Sequence, residues 1–203
     1  MKSKIKAVVF DVGGVLCGWV TVVRKMAAEI KVDYQKFYEA FLYYSFDPKI
    51  GSDLGLMSLD EFFAKLANHF GRPEKAKIWR QGFVPGFRRI EPSFELVKEL
   101  TGKYKLAVLT NAKIGLWDEW HAGNLKQYFE IIIDSAEVHA LKPDEKIFRI
   151  LLERLKLPAE ECLFIDDFSE YTEAAKKLGF QTVHFTDPEE SVKLIRKMLY
   201  ESI

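Results

Sequence analysis

Ile5-Lys6-Ala7-Val8-Val9-Phe10-Asp11-Val12-Gly13-Gly14-Val15-Leu16 is a short apolar, β-branched run that meets an acid and then a glycine pair. A run of that length closed by turn residues reads as a buried strand entering a tight turn, with Asp11 directly at its carboxyl end. The alternation begun there resumes after Pro92. Residues 94–100 read as a helix, 106–109 as a strand and 131–134 as another strand. Pro143 is placed to open a helix at its first turn, and Ile147, Leu151, Leu152 and Leu155 follow at helical spacing. A strand over 162–165, a helix over 171–178 stopped by Gly179, a strand over 182–185 and a helix over 189–199 complete the pattern. Such alternation predicts an α/β fold, a doubly wound, Rossmann-like parallel sheet covered on both faces. Sheets of that kind take their ligands at the carboxyl ends of the strands.

Between Cys17 and Arg89 the alternation stops. The segment reads as several helices, one opened by the capping box Ser58-Leu59-Asp60-Glu61. The expected organisation is a core of residues 1–16 and 90–203 with an inserted small α-helical cap of residues 17–89. Its many aromatics, among them Phe37, Tyr38, Phe41, Tyr43, Phe62 and Phe63, are spaced as a helix-bundle core. Residues 48–55 are its most loop-like part. If the cap moves, the hinges fall near residues 16–18 and 85–89, with Gly86 the position to test.

The 30 basic and 30 acidic residues cancel, and no long run of one sign occurs, which argues against a nucleic acid or membrane partner. Cys17 and Cys162 lie far apart among apolar residues and read as core thiols, which suits a reducing cytoplasm. The apolar run before Asp11 is too short for a signal peptide or a membrane span. A monomer and a homodimer are both compatible with this composition.

Four strand ends carry polar groups that such a sheet would bring together: Asp11, Thr110 with Asn111, Lys142, and the pair Asp166-Asp167. An acid after a strand is, taken alone, as readily a helix cap. Adjacent carboxylates are different, because they repel and raise at least one pKa unless a cation or a lysine shares the space. Lys142 and Mg²⁺ would relieve that repulsion. Mg²⁺ prefers one or two carboxylates, waters and a phosphate oxygen, and Asp11, Asp167 and a backbone carbonyl match that preference.

The strings Val8-Val9-Phe10-Asp11-Val12-Gly13-Gly14-Val15-Leu16, Val108-Leu109-Thr110-Asn111, Leu141-Lys142-Pro143-Asp144 and Leu163-Phe164-Ile165-Asp166-Asp167 occur in that order. Together they resemble the four motifs of the haloacid dehalogenase-like superfamily. The insert matches in position the small cap of one large branch. That branch holds sugar-phosphate phosphatases and the phosphatase domain of epoxide hydrolases. The resemblance implies that Asp11 is the nucleophile forming an aspartyl-phosphate, with Thr110, Asn111 and Lys142 binding the phosphate. It implies a Mg²⁺ site of Asp11, the Gly13 carbonyl, Asp167 and Asp166, the last directly or through water. The implied activity is Mg²⁺-dependent hydrolysis of a small phosphorylated metabolite, by analogy a sugar phosphate.

The sequence also departs from that pattern. Most phosphatases of the family carry an acid-base aspartate two positions after the nucleophile, where this chain has Gly13. Positioned acid-base catalysis contributes about 10² to 10⁴-fold. Another group could supply the proton, with His121 a candidate, or the substrate could have a good leaving group. Alternatively the chain is a catalytically weak phosphate-binding or regulatory protein on the same fold; a 2-haloacid dehalogenase is a further alternative. Trp117 and Trp120 are substrate walls or packing residues. Tyr171 and Ala174 replace the Asn and Gly frequent after the fourth motif.

Overall fold

A computed structural model describes residues 5–113, 115–116 and 125–201. His121, Trp117 and Trp120 lie outside the described residues. Five parallel strands form the central sheet: β1 (Ala7–Phe10), β4 (Lys105–Thr110), β5 (Ile131–Asp134), β6 (Cys162–Asp166) and β7 (Gln181–His184), in the spatial order β5-β4-β1-β6-β7. In this register Phe10 lies opposite both Val108 and Ile165. The residues after Phe10, Val108 and Ile165 therefore emerge side by side at one edge of the sheet.

All four residues of β1 are buried because both faces of the sheet are covered. Val8, Phe10, Leu106, Val108 and Ile165 pack on one face against helices α5 (Glu91–Leu100) and α9 (Pro188–Tyr200), through Phe94, Val97 and Ile195. The alternate residues Ala7, Val9, Leu109 and Phe164 pack on the other face against α7 (Glu145–Leu155) and α8 (Ser169–Lys177), through Phe148, Leu151 and Ala175. The short helix α6 (Ser135–Val138) follows β5 directly. Helix α7 begins two residues later than Pro143 alone suggests. The side chain of Asp144 accepts the Lys146 N–H at 2.8 Å and fixes that start.

The inserted segment forms α1 (Val20–Glu29), α2 (Tyr34–Phe46), α3 (Leu59–His69) and α4 (Lys75–Phe83) around its own apolar cluster, which includes Phe37, Phe41, Phe62, Phe63 and Trp79. Tyr43 is not part of that core, being 53% exposed. The capping box closes both ways: Ser58 Oγ accepts the Glu61 N–H at 3.2 Å, and Glu61 Oε2 accepts the Ser58 N–H at 2.8 Å. Where the chain leaves and re-enters the core, β2 (Cys17–Gly18) and β3 (Arg88–Arg89) pair antiparallel. Residues 48–55 are more ordered than their composition suggests, with a 3-10 turn at Ser52–Leu54 whose Ser52 and Asp53 are buried. A Cβ on Gly86 would come 2.7 Å from Val22 Cγ2, so a larger residue there strikes α1 whether or not the joint bends. Both cysteines are free and buried. No described helix is long and apolar enough to cross a membrane.

Candidate active site

The carboxyl edge of the sheet brings Asp11, Thr110, Asn111, Lys142, Asp166 and Asp167 into one cluster. Asp11 continues the ladder, its N–H donating to the Ile165 carbonyl at 2.9 Å. Lys142 Nζ, on the segment before α7, lies 2.9 Å from Asp11 Oδ1 and 2.5 Å from Asp166 Oδ2. Burial pulls the Lys142 pKa down, but the two carboxylates outweigh it and hold the ammonium above its usual range. Lys142 is thus a fixed positive charge between two acids.

Asn111 holds that lysine from the backbone. Its Oδ1 accepts the Lys142 N–H at 2.8 Å and its Nδ2 donates to the Lys142 carbonyl at 3.0 Å. Nδ2 also lies 3.4 Å from the Tyr171 hydroxyl, which burial pushes up to about 12. Tyr171 stands where an asparagine is frequent, and its ring meets the Lys142 ammonium at 5.1 Å. Thr110 is buried at the end of β4 and borders the same space.

The two acids of the fourth motif differ. Asp166 has partners on both oxygens, Lys142 on Oδ2 and the Phe168 N–H on Oδ1 at 2.9 Å. Asp167 Oδ1 is buried with no hydrogen-bond partner. Burial first, then the charges of Asp11 and Asp166, push the Asp167 carboxyl up to about 8. Oxygens of Asp11, Asp166 and Asp167 all lie within 4.8 Å of one another. An orphaned buried carboxylate oxygen facing two further acids fits a divalent cation, which satisfies the oxygen and screens the repulsion. Gly14 makes room for this arrangement: its φ is +81°, and a Cβ there would sit 2.1 Å from Asp167 Oδ2.

A cavity of about 100 Å³ opens onto Asp11, Thr110 and Lys142. Its remaining wall is largely aromatic and includes Trp19, Phe41, Phe83, Phe87 and Phe168. Sequence reasoning missed Trp19, Lys113 and Asp53 there. Trp19 lies with its indole Nε1 2.8 Å from the point where a Cβ on Gly13 would stand. Lys113, from the loop after β4, is buried among the helices of the insert. It donates to Asp53 Oδ1 at 2.8 Å and Ser45 Oγ at 3.0 Å, and its ammonium lies 4.3 Å from the Phe62 ring centroid. The only sequence signal for this contact was a lysine three residues beyond Thr110.

The model of the haloacid dehalogenase-like hydrolases matches residues 5–179. This chain belongs to that family. Several mammalian proteins match it over 59–74 residues, and the chain spans only 7–13% of their length. A phosphorylated carbohydrates phosphatase of Thermotoga maritima is 27% identical over 187 residues, covering 89% of this chain and 84% of that protein. A family enzyme of Bacteroides thetaiotaomicron, solved with magnesium and inorganic phosphate, superposes with a TM-score of 0.67 at 23% identity, over 88% of this chain and 93% of that one. A solved dehalogenase superposes with a TM-score of 0.76 at 18% identity, over 98% and 99%. At these identities the two structures speak to the fold.

Proposed function

We propose that the protein is a Mg²⁺-dependent phosphatase that hydrolyses a small phosphorylated molecule through an aspartyl-phosphate at Asp11. The observation that carries this reading is the division of labour among the acids. Lys142 is fixed between Asp11 and Asp166, while Asp167 presents a buried oxygen with no protein partner. A largely buried site holding three carboxylates and one lysine is short of positive charge, and a divalent cation together with a phosphate dianion suits it. The phosphatase relative from Thermotoga maritima supports the same class of substrate.

In this reading an Asp11 oxygen attacks phosphorus while Lys142 offsets the charge on both. Thr110 donates its hydroxyl to a phosphoryl oxygen. Asn111 acts at one remove, fixing Lys142 by its backbone, and Asp166 does the same through the ammonium. Asp11, Asp167 and the Gly13 carbonyl would hold the cation, with Asp166 behind them. The chemistry that Mg²⁺ supplies when bound is neutralisation of the phosphate and the nucleophile. Water then cleaves the aspartyl-phosphate, so that one hard displacement becomes two easier ones. Residues 17–89 act as a cap that excludes bulk water, tied down by Lys113.

The test is p-nitrophenyl phosphate hydrolysis with and without Mg²⁺, on wild type and Asp11→Asn, each checked for folding by circular dichroism. Metal-dependent turnover that disappears in Asp11→Asn is the expected result. A folded, Mg²⁺-loaded wild type without turnover would favour a binding role instead.

A further inference from the structure

Resting on the phosphatase reading, we infer that the substrate is a phosphate ester of an apolar, aromatic-type alcohol, seated against Trp19, whose oxygen departs without a side-chain proton donor. Three observations carry this. The first is that Trp19 and Gly13 fit each other. The indole Nε1 stands 2.8 Å and Cδ1 3.1 Å from where a Cβ on Gly13 would lie, so the indole fills the place from which an acidic side chain would extend. Trp19 is held there by stacking on Tyr38 and Phe41, with ring centroids 6.1 and 5.7 Å apart and interplanar angles of 26° and 23°. An indole N–H donates a hydrogen bond but does not surrender its proton.

The second observation is that no spare carboxyl replaces it among the described residues that line the cavity. Among the described lining residues the carboxyls are Asp11 and Asp53, and Asp53 is ion-paired to Lys113. The third is the wall itself. A sugar presents hydroxyls that need partners when buried, and away from the phosphate end Lys113, Asp53 and Ser45 are engaged with one another, which leaves Tyr38 and Trp19 as the side chains able to offer hydrogen bonds from an otherwise aromatic wall. Against Phe41, Phe83 and Phe87 an apolar ring gains, while a ring with several hydroxyls gives up more hydrogen bonds to water than Tyr38 and Trp19 can return.

As the Asp11 oxygen–phosphorus bond forms, the bond from phosphorus to the ester oxygen breaks. That oxygen leaves with the electron pair as an anion and takes its proton from water after release. Water then attacks phosphorus, the Asp11–phosphorus bond breaks, and inorganic phosphate leaves with the water's proton lost to solvent. A phenol-type oxygen tolerates such departure; a sugar oxygen does not.

The experiment compares 2-naphthyl phosphate, 2-phenylethyl phosphate and glucose 6-phosphate under saturating Mg²⁺. The expected order of kcat/KM is naphthyl, then phenylethyl, then glucose ester, the first exceeding the last by at least about 100-fold. Trp19→Ala should raise KM for the naphthyl ester by about tenfold with a smaller change in kcat, and Trp19→Phe should recover most of the loss. Glucose 6-phosphate hydrolysed as well as the naphthyl ester would overturn this inference and leave the phosphatase reading standing. Hydrolysis of none of the three by the folded enzyme would overturn both.

Discussion

Lys113 Nζ and Asp53 Oδ1 lie 2.8 Å apart with side chains 4% and 6% exposed, and they join the loop after β4 to the 3-10 turn of the insert. Ser135 Oγ reinforces the joint by donating to the Asp53 carbonyl at 2.6 Å while accepting the Ala112 N–H at 3.0 Å. Removing one partner of a buried pair strands the other charge, at a cost of about 3 to 5 kcal/mol. Lys113→Met should lower stability in urea by that order. The double variant with Asp53→Leu should recover much of the loss, and a double variant no better than the single one would mean the pair is not the cause.

Gly14 is the residue whose missing side chain lets Asp167 approach. Gly14→Ala must move Asp167, because the new Cβ would overlap its carboxylate, and must strain a backbone at φ +81°. The Mg²⁺ concentration giving half-maximal activity should rise by about 10- to 100-fold, the range seen when the supports of a metal ligand are disturbed. An unchanged Mg²⁺ titration would place the cation elsewhere.

Asn111 grips Lys142 through both ends of its amide. Asn111→Ala should therefore lower kcat by about 100-fold through misplacement of the ammonium, with KM changing less. A rise in KM alone would instead make Asn111 a direct phosphate ligand.

The sheet and the order of its strand-end polar groups were legible from short apolar runs, because a strand buried on both faces has little choice but to be apolar. The division between Asp166 and Asp167 was not legible. It depends on which carboxylate Lys142 reaches, and that is fixed by side-chain geometry across two strands. Asp53 was hidden in a stretch whose glycines and proline read as loop, since its burial depends on a lysine 60 residues away. Trp19 carried no signal of its own at the start of the insert. Only the fold shows that it lies against Gly13. Pro143 misled by its helix-start preference, where the stronger cap was the side chain of Asp144.

The thiols are expected to be inert. Cys17 and Cys162 are 1% and 0% exposed, and burial pushes both thiols up, Cys162 to about 12, so little thiolate forms near neutrality. A chromogenic disulfide reagent should label neither in the native protein and both in denaturant. Rapid native labelling of Cys17 would mean that the β2–β3 joint opens readily.

In the proposed reaction Asp11 carries the phosphoryl group during turnover. The most direct measurement is acid quenching of the Mg²⁺-loaded enzyme during steady-state hydrolysis of an aryl phosphate, followed by peptide mass mapping. One phosphoryl group on the peptide bearing Asp11, lost on treatment with hydroxylamine and absent from Asp11→Asn, is the predicted result. Steady turnover that persists in Asp11→Asn, with no phosphorylated peptide in the wild type, would contradict it.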